Sequence, residues 1–228
     1  VLLQHECSAG WLLAALRGAR QTDRAPLPSH RKVRMTAFPV HTLDSAPEAS
    51  KALLEATRKA WGFVPTLQGT LAESPVALEA HETLFRLVGQ STLTPAEQQV
   101  AFLAVSVLHG CDYCVMGHTY LARKAALPED TLQALRNGRP IVDSARHQAL
   151  RSFCEAVVRE RGFAGDAAVD AFIAAGFTRR NILELVTLIA TKTISNYTNH
   201  LTHTPKESFM SDPALKWVAT GEAAGIAA

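Results

Sequence analysis

The chain has 228 residues, 47% of them hydrophobic, and a formal net charge of +2. That suits one domain, or at most two small ones, with enough apolar residues for a buried core, and it leaves no broad basic surface for nucleic acid. No stretch approaches the roughly 18 continuous apolar residues of a membrane span, so a soluble, cytoplasmic protein is expected.

Residues 1–34 differ from the rest. They hold Arg17, Arg20, Arg24, Arg31, Lys32 and Arg34 against Glu6 and Asp23, and Met35 follows as a plausible initiator. The apolar run GWLLAALRG is short, interrupted by Arg17 and preceded by no basic segment, so it fits a secretory signal poorly. The expectation is a non-native or disordered leader outside the fold, with a short amphipathic targeting helix as the alternative. A single helical domain is expected over 38–210, with a tail over 211–228 whose end, GEAAGIAA, is frayed.

From residue 44 the pattern reads as helix after helix. Ser45-Ala-Pro-Glu48 has the form of a capping box, opening a helix to about Trp61 that GFVP at 62–65 breaks. A short helix is expected over 66–73. Ser74-Pro75 opens the next, to about Gly89. Thr94-Pro-Ala-Glu97 is a second capping box, ahead of a helix to His109 that is apolar on most faces and therefore central. A helix from Gly110–Asp112 to Ala126 follows, then a short one from LPED closed by Asn137-Gly138. Asp143 is expected to cap a helix to Arg161. A short helix over 166–175 and a long one from Thr178 to Asn199 complete the domain, with Pro213 a candidate start for a last one. Strand signals are missing, so the fold class is all-α.

The chemistry concentrates in GCDYCVMGH at 110–118. Of the four cysteines, Cys7 lies in the leader, and Cys154 sits in the apolar pattern FCEAVV as an inert core thiol. One CxxC in a cytosolic chain points to catalysis or metal rather than to a disulfide scaffold. A helix starting near Gly110 puts Cys111 in its first turn, where free N–H groups and the helix dipole favour a thiolate. Cys111 and Cys114 share a face at i,i+3, and Cys114 and His118 share it at i,i+4. His118 is then placed to exchange a proton with Cys114, directly or through a water. A thiolate, a second thiol and a base make a minimal peroxide-reducing unit: the sulfenic acid formed at one sulfur condenses with the other. Two rivals remain. Zinc held by His109, Cys111, Cys114 and His118 strains the geometry of one helix start; two buried thiols and a core histidine carry no chemistry at all. A c-type haem is excluded because Val115 follows Cys114.

The stretch LTPAEQQVAFLAVSVLHGCDYCVMGHTYLARKAALPEDTLQALRNG resembles the AhpD-like alkylhydroperoxidases of the carboxymuconolactone decarboxylase superfamily, closely at CDYCVMGH and more loosely over 38–210. The resemblance implies a domain of packed helices, assembled as a trimer or hexamer, that reduces a small organic hydroperoxide without cofactor or metal. It implies that Cys114 attacks the peroxide, Cys111 resolves, His118 relays the proton, and a thiol or lipoyl-type partner re-reduces the pair. In one respect the sequence departs from the pattern: the family's relay glutamate, twelve residues before the first cysteine, is Gln99 here. Glu97 lies nearby, with the capping box as its expected task. In SNYTNH at 195–200, Asn196, Tyr197, Asn199 and His200 are candidates to line the site, against the alternative of a solvated helix end. His81 and His147 are expected at the surface. Two other readings stay open: a decarboxylase-type lyase using His118 or His200 as acid and base, and a non-enzymatic zinc-holding or redox-sensing oligomer.

Overall fold

The computed structural model describes residues 37–219. The expectations for the leader and for the GEAAGIAA end lie outside the described residues. Those described form nine α-helices and one 3-10 turn with no strand: α1 (Glu48–Trp61), α2 (Thr66–Leu71), α3 (Pro75–Val88), α4 (Pro95–Leu108), α5 (Asp112–Lys124), α6 (Glu129–Arg136), α7 (Ala145–Arg159), α8 (Asp166–Ala174), α9 (Arg179–Thr202) and the turn Ser208–Ser211.

The local signals explain most of the boundaries. Ser74 caps α3 by accepting from the Ala77 N–H. Thr94 and Glu97 form the reciprocal capping box of α4, and Thr178 and Asn181 form an equivalent one at α9. Gly62 ends α1 at φ 84°, a conformation that favours glycine. Three starts differ from expectation. Ser45 does not cap α1; it exchanges hydrogen bonds with Thr42 in the preceding turn, and Pro47 stands at the helix start. Asp143 accepts from Thr131 Oγ1, and Ser144 caps α7 instead. Pro213 opens no helix.

Helix α4 is the hub. Val100 to Ser106 are all buried, because α5, α7 and α9 pack around it and leave no face for solvent. The long α9 crosses α3, α4 and α5. Residues 203–219 form a strap back across the domain. Leu215 and Trp217 are buried, Arg136 donates to the Lys216 carbonyl at 2.7 Å, and the Trp217 indole donates to the Arg136 carbonyl at 2.6 Å. Nearer the start of the strap, Glu207 accepts from the Thr66 N–H at 2.6 Å and from the Tyr113 hydroxyl at 2.7 Å, fixing the strap to α2 and α5.

Candidate active site

The connection from α4 to α5 sets the site. Gly110 turns the chain at φ 67°, a reversal that a side chain would strain. The Cys111 N–H then reaches the Ser106 carbonyl at 3.0 Å. Helix α5 begins within the expected range, with Cys111 as its N-cap instead of in its first turn, and Cys114 and His118 follow on the inward face. All three are buried.

Helix α9 supplies the opposite wall. Lys192, Asn196 and Asn199 lie at i, i+4 and i+7, so they share one face. The Asn199 amide nitrogen reaches the Cys114 sulfur at 3.2 Å and the Cys111 sulfur at 3.8 Å. The Lys192 ammonium, only 2% exposed, lies 3.0 Å from His118 Nε2. On the other side of the ring, His118 Nδ1 lies 3.0 Å from Gln99 Oε1. An ammonium can only donate, so Nε2 accepts and the proton sits on Nδ1, donated to Gln99. Phe102 stacks on the imidazole with centroids 4.6 Å apart, holding its plane.

The electrostatics follow. Burial, then the Lys192 charge, keeps His118 neutral far below the usual histidine range. The thiols are split. The neighbouring Cys114 thiol as a hydrogen-bond partner, outweighing burial and aided by Lys192, lowers Cys111 to about 6. Burial and the same bond push Cys114 well up. At neutral pH the pair therefore shares one proton and one negative charge. Burial, then the charge of Glu155, pushes Cys154 up; it is a buried core thiol, as expected.

An apolar cavity of about 230 Å³ opens onto Cys114, His118 and Lys192. Trp61, Phe63, Phe85, Tyr113, Tyr120 and Phe209 line it, and Lys192 is its one lysine or arginine.

Several expectations are met and several corrected. Cys111, Cys114, His118 and Gln99 do come together. Glu97 stays at its cap and pairs with Arg146 at 2.6 Å, away from the thiols. Asn196 lies at the site, accepting from His109 Nδ1 at 3.2 Å. His200 and Tyr197 are exposed, and His200 borders a different cavity from His118. His81 is not at the surface: it is buried beside Glu82 and lines the apolar cavity. His147 is half-buried at the α7 start. Both nitrogens of His118 are taken, so Lys192, rather than the imidazole, faces the Cys114 thiol. Lys192 escaped the sequence reading, although a lone lysine on the apolar LVTLIATKTIS stretch, in phase with Asn196 and Asn199, was its signal. No group of three or more His, Cys, Asp or Glu among the described residues is placed to hold a metal.

Residues 77–156 match the model of the carboxymuconolactone decarboxylase family. No curated protein matches the chain significantly. Among solved structures, the chain is similar to an alkylhydroperoxidase AhpD core, a peroxidase-related protein from Ralstonia eutropha JMP134, at 22% identity and TM-score 0.68, covering 75% of this chain and 92% of that one. A peroxidase-related protein from Silicibacter sp. TM1040 gives 18% identity and TM-score 0.63, covering 78% and 96%. The debrominase Bmp8, as a cysteine-to-alanine variant in complex with 2,3,4-tribromopyrrole, gives 15% identity and TM-score 0.64, covering 77% and 94%. At these identities the structural likeness speaks for the fold. Taken with the family match across the cysteine motif, it supports the resemblance of this helical domain to the AhpD-like carboxymuconolactone decarboxylase superfamily.

Proposed function

We propose that the protein is a thiol-dependent oxidoreductase that reduces organic hydroperoxides through Cys114 and Cys111. The observation that carries this reading is the placement of two buried thiols, bridged by the Asn199 amide and with a buried lysine on the same helix face, at the wall of an apolar cavity.

The resting pair is Cys114–SH donating to Cys111–S⁻. The proton moves along that bond, and the Lys192 ammonium holds the charge that appears on Cys114. Cys114–S⁻ attacks the terminal peroxide oxygen, breaking the O–O bond. Cys114 becomes a sulfenic acid, and the departing alkoxide takes a proton from Lys192 to leave as the alcohol. Lys192 recovers that proton from Cys111–SH. The restored Cys111 thiolate displaces hydroxide from the sulfenic acid, and with one proton from solvent this leaves a disulfide and water. His118 holds Lys192 in place by accepting its N–H, and Gln99 fixes the tautomer that allows this. The site needs no cofactor in this scheme, and the re-reducing thiol comes from outside.

The test starts from reduced, metal-free protein and a bulky hydroperoxide such as cumene hydroperoxide, with peptide mass spectrometry as readout. The expected result is loss of two hydrogens from the peptide holding Cys111 and Cys114, with Cys154 still free. Cys114→Ser should abolish peroxide consumption while the fold persists; unchanged turnover in that variant refutes the scheme.

A second reading draws on the same cavity. Its aromatic lining, ending at a thiol, suits a halogenated aromatic ring, and a debrominase shares the fold. Two thiols can reduce an aryl bromide to the arene, yielding a disulfide, bromide and a proton. Bromide release from tribromopyrrole, without peroxide consumption, would select this reading over the first.

A further inference from the structure

The cysteine pair stands between two cavities. Cys114 lines the apolar one, whereas Cys111 lines a second, larger one of about 950 Å³. Tyr113 and Met210 border both, forming the partition with the thiols.

The second cavity has the opposite character. It carries Lys206, Lys216, His200 and His203, and a single carboxylate, Asp112. Lys206 neutralises Asp112 at 2.8 Å. Lys216 is exposed and forms no ion pair among the described residues. Asn199 also faces this side: its amide nitrogen holds the sulfurs, while its buried carbonyl oxygen has no hydrogen-bond partner. A buried acceptor left unpaired beside a reactive sulfur suits a hydrogen-bond donor carried by an incoming ligand.

We infer that the oxidised pair is reduced from this second side, at Cys111, by a small thiol that carries negative charge. The thiolate of the reductant attacks the Cys111 sulfur and breaks the Cys111–Cys114 bond. Cys114 leaves as a thiolate beside the Lys192 ammonium. A second reductant thiolate then attacks the reductant's own sulfur in the mixed disulfide and releases Cys111 as a thiolate. Two thiols become one small disulfide, and their protons reach solvent and Cys114. The inference rests on the peroxidase reading for how the disulfide arises, but not for how it is reduced.

The test therefore begins from protein oxidised with diamide, its disulfide verified by mass. Single-turnover reduction is compared for mercaptosuccinate, 2-mercaptoethanol and cysteamine, each corrected to its thiolate concentration. At low ionic strength the anionic thiol should be fastest and the cationic one slowest, about tenfold apart, and added salt should collapse the spread. Lys216→Glu should shrink or invert the ratio of mercaptosuccinate to cysteamine rates. Gly117→Leu projects into the apolar cavity, its new Cβ meeting only the Met210 methyl at an ordinary 3.5 Å; it should slow oxidation by cumene hydroperoxide far more than reduction by mercaptosuccinate. Equal rates for the three thiols overturn the inference, as does a Lys216→Glu ratio matching the parent, or rapid reduction by a protein dithiol alone. Inert behaviour toward hydroperoxide with the charge order intact instead removes the peroxidase reading and leaves this one standing.

Discussion

Replacing Cys114 by alanine should raise the titration midpoint of Cys111 by more than one pH unit. Cys111 lies at about 6 against 9.0 for an unperturbed thiol, and the first cause is the hydrogen bond from Cys114. The full shift corresponds to about 4 kcal/mol of preference for the thiolate. It makes Cys111 roughly nine-tenths ionised at pH 7, where an ordinary thiol is about one part in a hundred. Lys192 is a smaller cause, so Lys192→Met should raise the midpoint less than Cys114→Ala does. The assay is the pH dependence of iodoacetamide labelling at Cys111, read by peptide mass spectrometry alongside thiolate ultraviolet absorbance. A midpoint near 6 that Cys114→Ala leaves in place would refute the shared-proton account. So would a larger shift from Lys192→Met than from Cys114→Ala.

Two further outcomes follow from His118 and its partners. Gln99→Glu puts a carboxylate 3.0 Å from His118 Nδ1, which should make the imidazole a stronger acceptor for the Lys192 ammonium and speed hydroperoxide reduction at neutral pH by about tenfold; stopped-flow rates matching the parent would show that the His118–Lys192 contact does not limit the reaction. Because burial holds the folded His118 far below its unfolded value of 6.5, the unfolded chain binds the proton more readily. Stability should then fall as pH drops below about 6.5, by up to about 1.4 kcal/mol per pH unit from this group, and His118→Gln should flatten the acid limb of the Tm–pH curve. Parallel limbs in the two proteins would count against a neutral buried imidazole.

The fold was largely legible because its punctuation is local. Ser74, Thr94 and Thr178 start their helices with side chains that bond within three residues, and Gly62 and Gly138 stop theirs. Ser45 misled because its partner lay behind it in the chain, at Thr42, rather than ahead. The Cys111–Cys114–His118 triangle was readable from helical spacing alone. Lys192 and Asn199 were harder, since they come from α9, some eighty residues away, and only packing decides which face of α9 meets the thiols. His81 shows the same limit: its burial depends on Glu82, Gln68 and Thr57 converging from three helices.

The strap over 203–219 has a consequence for how such a site diversifies. Glu207, Phe209 and Met210 help to shape the apolar cavity, while Met210, Lys216 and Trp217 shape the cationic one. The strap is the last described part of the chain, and it is held by the few bonds from Thr66, Tyr113 and Arg136 rather than woven through the helices. The shapes of both cavities thus depend on one exchangeable segment, remote in sequence from the cysteine motif. Grafting that segment between related domains is a route to new specificities that leaves the cysteine motif unaltered.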